Sequence, residues 1–253
     1  MANNKRMIRR RKKKHSPLFL PLSFIIICAA VVFGMSVFFR VSKDGIEVQG
    51  ASQYSDQEII EASGIATGDN LFFLNRFTAI SRIRSKLPYV EEAQVTRVFP
   101  NKVIITVSES AKIAFVRLDT DLWALDRGCK VLEKLDSAAA DGLIEVVGLT
   151  PLAPKTGEVL TVSPDDAAKV GYLADILNAI QTNSMQADVT RVDLSNPANP
   201  TFDYLGRFTV KLGTNDNTAY KIEELLQAIP QLSATDAGTI DLSVSKEVHF
   251  SPN

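Results

Sequence analysis

The feature that most constrains this chain is an apolar segment with no charged residue, Leu18–Phe39. Its 22 residues would make a helix about 33 Å long, and the hydrocarbon core of a bilayer is about 30 Å thick. Pro21 falls in the first turn, where a helix tolerates a missing backbone N–H. The sequence therefore predicts a transmembrane helix over residues 18–40, preceded by a basic tail at 1–17.

Charge is distributed unevenly on the two sides of this segment. Residues 1–43 carry ten basic and no acidic side chains, whereas residues 44–253 carry 18 basic and 29 acidic ones, a net charge of −11. Lys and Arg are enriched on the cytoplasmic flank of membrane helices, so we expect a cytoplasmic N-terminus and an exported remainder. A cleaved signal peptide has a shorter apolar region and a small-residue cleavage site, which Val37–Arg40 lacks. The pattern favours a retained, single-pass type II anchor in the cell membrane.

Residues 44–110 alternate between strand and helix patterns. Ile46–Gln49 alternates apolar and polar residues as a strand does, and the capping-box motif that begins at Ser55 predicts a helix after it. Alternating residues on both sides of Pro100-Asn101 predict a β-hairpin. Before the hairpin, a second amphipathic helix is predicted from apolar residues at helical spacing: Phe77, Ile80, Ile83 and Leu87.

This β-α-α-β-β order, together with the stretch PYVEEAQVTRVFPNKVIITVSE at residues 88–109, resembles the POTRA domain of the FtsQ/DivIB bacterial cell-division proteins. Ala51 and Ser110 depart from the residues that this family often has at the same positions. The match is densest over Val90–Glu109, where the pattern runs through nine positions: Pro88, Val90, Ala93, Val95, Arg97, Pro100, Ile105, Val107 and Glu109.

Residues 111–253 are predicted to form a second α+β domain with a mostly antiparallel sheet. Helices are expected from Ser163 and from Thr218, and a final strand pair at Thr239–Val244 and Glu247–Phe250. The phrase LWALDRGCKVL, which ends at Leu132, resembles a hairpin of the same family. The resemblance therefore follows the whole chain in order.

The sequence contains little that suggests catalysis. His15 and His249 are the only histidines, too few for a His-based zinc site, and no nucleotide-binding glycine motif is present. Cys129 is expected to be a small buried apolar residue, and the acid pair Asp165-Asp166 fits a helix start. The acidic exported part disfavours anionic partners such as nucleic acid. We therefore predict a protein that is not an enzyme and that needs no cofactor or metal.

Binding is the function that remains, because the edge of a β-sheet can accept a strand from a partner. The resemblance implies a divisome scaffold at the division septum, which contacts the lipid bilayer, FtsB/FtsL-type bitopic proteins (DivIC and FtsL in Gram-positive naming) and other septal membrane proteins. The family's binding edge lies near the C-terminus. By position it corresponds here to Asp241, Leu242, Ser243, Val244, Val248, His249 and Phe250.

A second candidate contact face is formed by Arg76, Arg82 and Arg84 on the second predicted helix, for which a solvated helix face is the alternative. Two other functions stay open from the sequence. One is an envelope chaperone or assembly factor that guides substrate proteins by strand addition, and the other is an exported hydrolase.

Overall fold

The computed structural model describes residues 19–244 and 247–252. The chain begins there with helix α1 (Phe19–Phe38), whose large apolar side chains from Phe24 onward are mostly exposed. Among the described residues, no helix combines the length and the apolar character needed to cross a membrane. The predicted basic tail at 1–17 and the first residue of the predicted span, Leu18, lie outside the described residues.

A small unit follows α1 and has the predicted β-α-α-β-β order. Its core joins both helices to one face of a three-stranded sheet, through buried residues such as Ile59, Ile83 and Ile105. The elements are β1 (Ile46–Gln49), α2 (Asp56–Ser63), α3 (Arg76–Lys86), β2 (Val90–Val98) and β3 (Lys102–Glu109). The central strand β3 lies parallel to β1 and antiparallel to β2.

The ends of the two helices follow local sequence signals. At α2, the Ser55 hydroxyl accepts the Glu58 N–H while the Glu58 carboxylate accepts the Ser55 N–H, which completes the capping box. At α3 the apolar stripe differs from the prediction, because Phe77 is 73% exposed while Ala79 is buried. Residues two positions apart in a helix point in directions about 200° apart around the axis, so a buried Ala79 places Phe77 on the opposite side of α3. The assignment of Phe77 to the core stripe is therefore wrong.

A larger unit contains the rest of the described chain and confirms an α+β fold with a mostly antiparallel sheet. Its nine strands lie in the order β12-β11-β10-β9-β8-β7-β4-β5-β6, and only β4–β7, β7–β8 and β10–β11 are parallel pairs. The elements are β4 (Ala114–Leu118), β5 (Asp121–Leu125), β6 (Val131–Leu135), β7 (Ile144–Val147), α4 (Ala167–Thr182), β8 (Val189–Asp193), β9 (Thr201–Tyr204), β10 (Phe208–Lys211), α5 (Thr218–Ala228), β11 (Gly238–Asp241) and β12 (His249–Pro252).

The core of this larger unit lies between the sheet and the pair α4 and α5. Leu173 and Leu177 of α4 and Ile222 of α5 are buried against strand residues such as Val192. Cys129 belongs to the same core, and its burial raises the pKa of the thiol to about 12. This confirms Cys129 as a small apolar core residue, since a buried neutral thiol is a poor nucleophile.

The turn between β5 and β6 joins the two units. The buried carboxylate of Asp126 accepts hydrogen bonds from Ser110 Oγ at 2.8 Å, Gly128 N at 2.9 Å and Lys130 N at 2.8 Å. Because Ser110 directly follows β3, Asp126 holds the β5–β6 turn against the end of the small unit. Nearby, Lys130 Nζ donates to the carbonyl oxygen of Val90 at 2.9 Å, which attaches the same turn to β2.

Candidate partner-binding edge

β12 is the outermost strand at the C-terminal end of the nine-stranded sheet. It is antiparallel to β11, with Phe250 opposite Ile240 and His249 opposite Asp241. Alternate residues of an antiparallel edge strand direct their N–H and C=O groups away from the sheet. In the described part of the chain no further strand pairs with β12, so this edge offers backbone groups to a partner, except for the N–H that Pro252 lacks.

The side chains of this region alternate between the domain core and solvent. Phe250 is half-buried, and its ring lies edge-to-face against Phe208 with 6.0 Å between centroids. Val248 is also half-buried and packs against the same core. His249 is exposed, with Nε2 at 3.0 Å from a carboxylate oxygen of Glu247. The two apolar residues therefore serve the sheet's own packing while each keeps part of its surface free.

An open groove of about 330 Å³ lies between α5 and β12. Its floor is apolar and its α5 rim is polar, which suits a partner segment with apolar side chains and a polar outer face. No sequence motif marks this rim as part of a binding site, although its polar residues recur at helical spacing. The lining residues are Glu224, Gln227, Ala228, Gln231, Leu232, Ile240, Val248 and Phe250.

The end of β11 places the other predicted residues around this edge. Leu242 is buried in the core, whereas Ser243 is exposed and Val244 half-exposed. Burial works against ionisation of Asp241, but hydrogen bonds from Ser243 and the nearby charges of Lys211 and His249 lower its pKa below the usual value. Six of the seven predicted residues thus lie at the surface of the β11–β12 edge, and Leu242 supports it from inside.

The comparisons agree with this architecture. A family model described as the FtsQ-type POTRA domain matches residues 42–110, the range of the small unit. Cell division protein DivIB of Clostridium botulinum (strain Hall) is 29% identical over 237 residues, covering 93% of this chain and 89% of that protein. Cell division protein FtsQ of Syntrophotalea carbinolica is 28% identical over 222 residues, covering 86% and 76% respectively. The chain thus contains an FtsQ-type POTRA domain and is similar to DivIB and FtsQ cell division proteins over most of its length.

The homologues are cell division proteins, which confirms the resemblance and supports a role in the divisome. The three arginines predicted as a contact face of the POTRA domain are all exposed on α3. Arg76 lies over the Phe77 ring at 5.4 Å from its centroid, and Arg82 lies beside Gly64 at the end of α2. Arg84 borders a cleft that Phe77 also lines, next to Lys130 of the larger unit.

Proposed function

We propose that this FtsQ/DivIB homologue is a non-enzymatic scaffold of the divisome that binds FtsB/FtsL-type bitopic partners at β12. The observation that carries the proposal is the open backbone edge of β12 beside the apolar groove under α5. A partner strand that pairs with β12 would satisfy backbone groups on both chains and place alternate side chains in or beside the groove. The names of the relatives as cell division proteins support the septal setting.

We further propose that Leu18–Phe39 anchors the chain in the cell membrane at the division septum, with a cytoplasmic N-terminus. The uncharged segment and the excess of basic residues before it support this arrangement. The same proposal divides the chain into a tail (1–17), an anchor (18–40), a POTRA domain (44–110) and a C-terminal α+β domain (111–253). Two sheets with separate cores on either side of residue 110 support the last division.

Backbone pairing explains why this edge can serve as a binding site without a set of specific polar side chains. Of the β12 side chains, only Phe250 packs against the core, and the neighbouring Ser251 and Pro252 are exposed. Affinity would therefore come from the strand hydrogen bonds and from burying the free faces of Phe250 and Val248. A partner with an apolar residue at alternate strand positions meets both requirements.

The proposal is tested by photo-crosslinking in cells, with a photoreactive amino acid at Ser251 of the full chain. Lys134, exposed on the opposite edge strand β6, is the matched control position. We expect Ser251 to trap a small bitopic membrane protein of the FtsB/FtsL type and Lys134 to trap none. Capture of assorted exported proteins at Ser251 would instead support the envelope chaperone. Release of peptidoglycan fragments by the purified chain would contradict the non-enzymatic assignment.

A further inference from the structure

Four phenylalanine rings meet where α1 joins the POTRA domain. Phe39, which directly follows α1, lies edge-to-face against Phe72 at 4.9 Å and against Phe99 at 5.6 Å between ring centroids. Phe72 and Phe99 are 5.2 Å apart, and Phe38 is 5.9 Å from Phe39. We call Phe38, Phe39, Phe72 and Phe99 the aromatic cluster. It combines the end of α1, the loop before α3 and the turn between β2 and β3.

This aromatic cluster lies at the surface although the same domain has a complete core of its own. Phe38 is 73% exposed, Phe99 50% and Phe72 38%, while core residues such as Ile83 are fully buried. Phe73, which directly follows Phe72, is exposed as well. Contiguous apolar surface of this kind on an otherwise ordinary domain marks a contact with a partner or a membrane.

Hydrogen bonds fix the aromatic cluster to the last turn of α1. The Asn70 side-chain amide donates to the carbonyl oxygens of Met35 at 3.1 Å and Ser36 at 3.3 Å, and Arg40 Nε also donates to the Ser36 oxygen at 2.9 Å. Leu71 N donates to Phe39 O at 2.9 Å. The loop that carries Phe72 is therefore attached directly to the helix end.

The position of the cluster along α1 indicates its surroundings. If Leu18–Phe39 is the anchor, the last turn of α1 lies where the hydrocarbon core meets the lipid head groups, and side chains in contact with that turn lie at the same depth. Phe side chains on the apolar face of interfacial segments enter the boundary between the head groups and the acyl chains. Arg40 and Lys43, exposed and directly after the cluster, suit the phosphate groups just above it.

We propose that the aromatic cluster seats the POTRA domain on the outer face of the bilayer, with its rings between the lipid head groups. The inference rests on the proposed anchor and adds a second lipid contact to it. The POTRA domain is then held against the membrane by its own surface as well as by a linker. The lipid is the occupant because the exposed rings continue the apolar surface of α1 and are followed by basic residues.

The test places single tryptophans in the full chain reconstituted into vesicles of phosphatidylcholine and phosphatidylglycerol, with or without brominated acyl chains. Trp123 is the only native tryptophan, and its indole N–H has no hydrogen-bond partner, so Trp123→Phe gives a mild background. Phe72→Trp and Phe99→Trp probe the aromatic cluster. Val159→Trp, at an exposed site in the larger unit, is the matched control. A fluorophore on Cys28 of α1 reports the anchor, because Cys129 is buried and unreactive.

We expect blue-shifted emission at residues 72 and 99 that brominated lipid largely quenches, and unquenched emission at residue 159. A lipid-embedded Cys28 probe with unquenched tryptophans at 72 and 99 would overturn the seating of the POTRA domain and leave the anchor intact. Quenching at 72 and 99 with a water-exposed Cys28 probe would support the seating and contradict the anchor. Unquenched tryptophans at 72 and 99 together with a water-exposed Cys28 probe would overturn both the seating of the POTRA domain and the anchor.

Discussion

The two edge strands of the nine-stranded sheet differ in whether another segment of the chain pairs with their outer side. At the start of β6, a neighbouring segment pairs with the outer side of the strand: Val131 N donates to Glu158 O at 2.9 Å, and Gly157 N donates to Val131 O at 2.8 Å. At β12 no such segment exists in the part of the chain that the structure describes. Free edges promote unwanted strand pairing, so proteins commonly cover them. The open β12 edge is therefore a local property of this end of the sheet, and its function can be tested against the covered edge.

The largest effect is expected from removing the apolar contact beside the open edge. Phe250→Ala takes away the half-buried ring at the groove floor, and we expect the FtsB/FtsL-type partner to bind at least about 30-fold more weakly, or about 2 kcal/mol. The measurement is a binding titration with the full chain. Val159→Ala, beside the covered edge, should bind the partner as the parent does. Equal affinity of the two variants would remove β12 from the binding site.

The next effect concerns the turn that leads into the covered edge. Asp126→Asn keeps one acceptor oxygen but weakens the buried set of hydrogen bonds to Ser110, Gly128 and Lys130. We expect a loss of about 1–3 kcal/mol in the free energy of unfolding, measured in urea. Asp121→Asn removes only an exposed ion pair with Lys134 and should change stability by at most about 1 kcal/mol. A smaller loss for Asp126→Asn than for Asp121→Asn would contradict this assignment.

Weakening the segment at Gly157 and Glu158 that pairs with β6 should leave β6 open to strand pairing, as β12 is. Gly157 has a φ of +88°, so Gly157→Ala strains the covering segment by about 1–2 kcal/mol even though no atom lies closer than 3.8 Å to the new methyl group. We expect lower stability in urea and self-association at rising concentration, seen by light scattering. The same change at Gly171, inside α4 with open space around it, should stabilise by about 0.5–1 kcal/mol. Monomeric behaviour of the Gly157 variant at all concentrations would show that the cover does not prevent pairing.

The smallest effect is a pH dependence at the open edge. Because the folded-state pKa of Asp241 lies below its ordinary value of 3.8, its contribution to stability is present above that value and disappears as pH falls through the folded-state pKa. Ser243, Lys211 and His249 provide the stabilisation of the carboxylate. Hydrogen exchange of the β11–β12 amides should therefore differ between the parent and Asp241→Asn near neutral pH and converge in acid. A difference that persists unchanged into acid would assign the effect to another group.

The sequence predicts those strands whose apolar and polar residues alternate and those helices whose apolar residues recur every three to four positions. The sequence predicts the β11–β12 pair to within a few residues but not β9, because Phe202 and Tyr204 are the only large apolar residues of that strand. Phe77 was placed in the core because apolar character alone does not distinguish a core stripe from a surface patch. The cover at β6 could not be predicted, since the pairing of Val131 with Glu158 uses backbone atoms only.

In the candidate site, too, some features follow from the sequence and others depend on how the elements pack together. The resemblance to the family implies the strand edge near the C-terminus, but the α5 rim of the groove depends on how α5 lies beside β12, which no local pattern specifies. The three arginines of α3 are all exposed, and helix geometry places Arg76 and Arg84, eight residues apart, within about 80° of each other, whereas Arg82 lies on another side. Arg82 and Arg84 are two residues apart and therefore about 200° apart around the helix axis.

The hydrogen bonds from Asn70 to the end of α1 limit how far the POTRA domain can tilt relative to α1. If α1 is the membrane anchor proposed above, these bonds and the contacts of Asp126 between the two units restrict the height of β12 above the bilayer. A partner anchored in the same membrane can reach that height only with a connecting segment of suitable length. Linker length in the partner would then select which bitopic proteins assemble here, independently of the residues that form the contact.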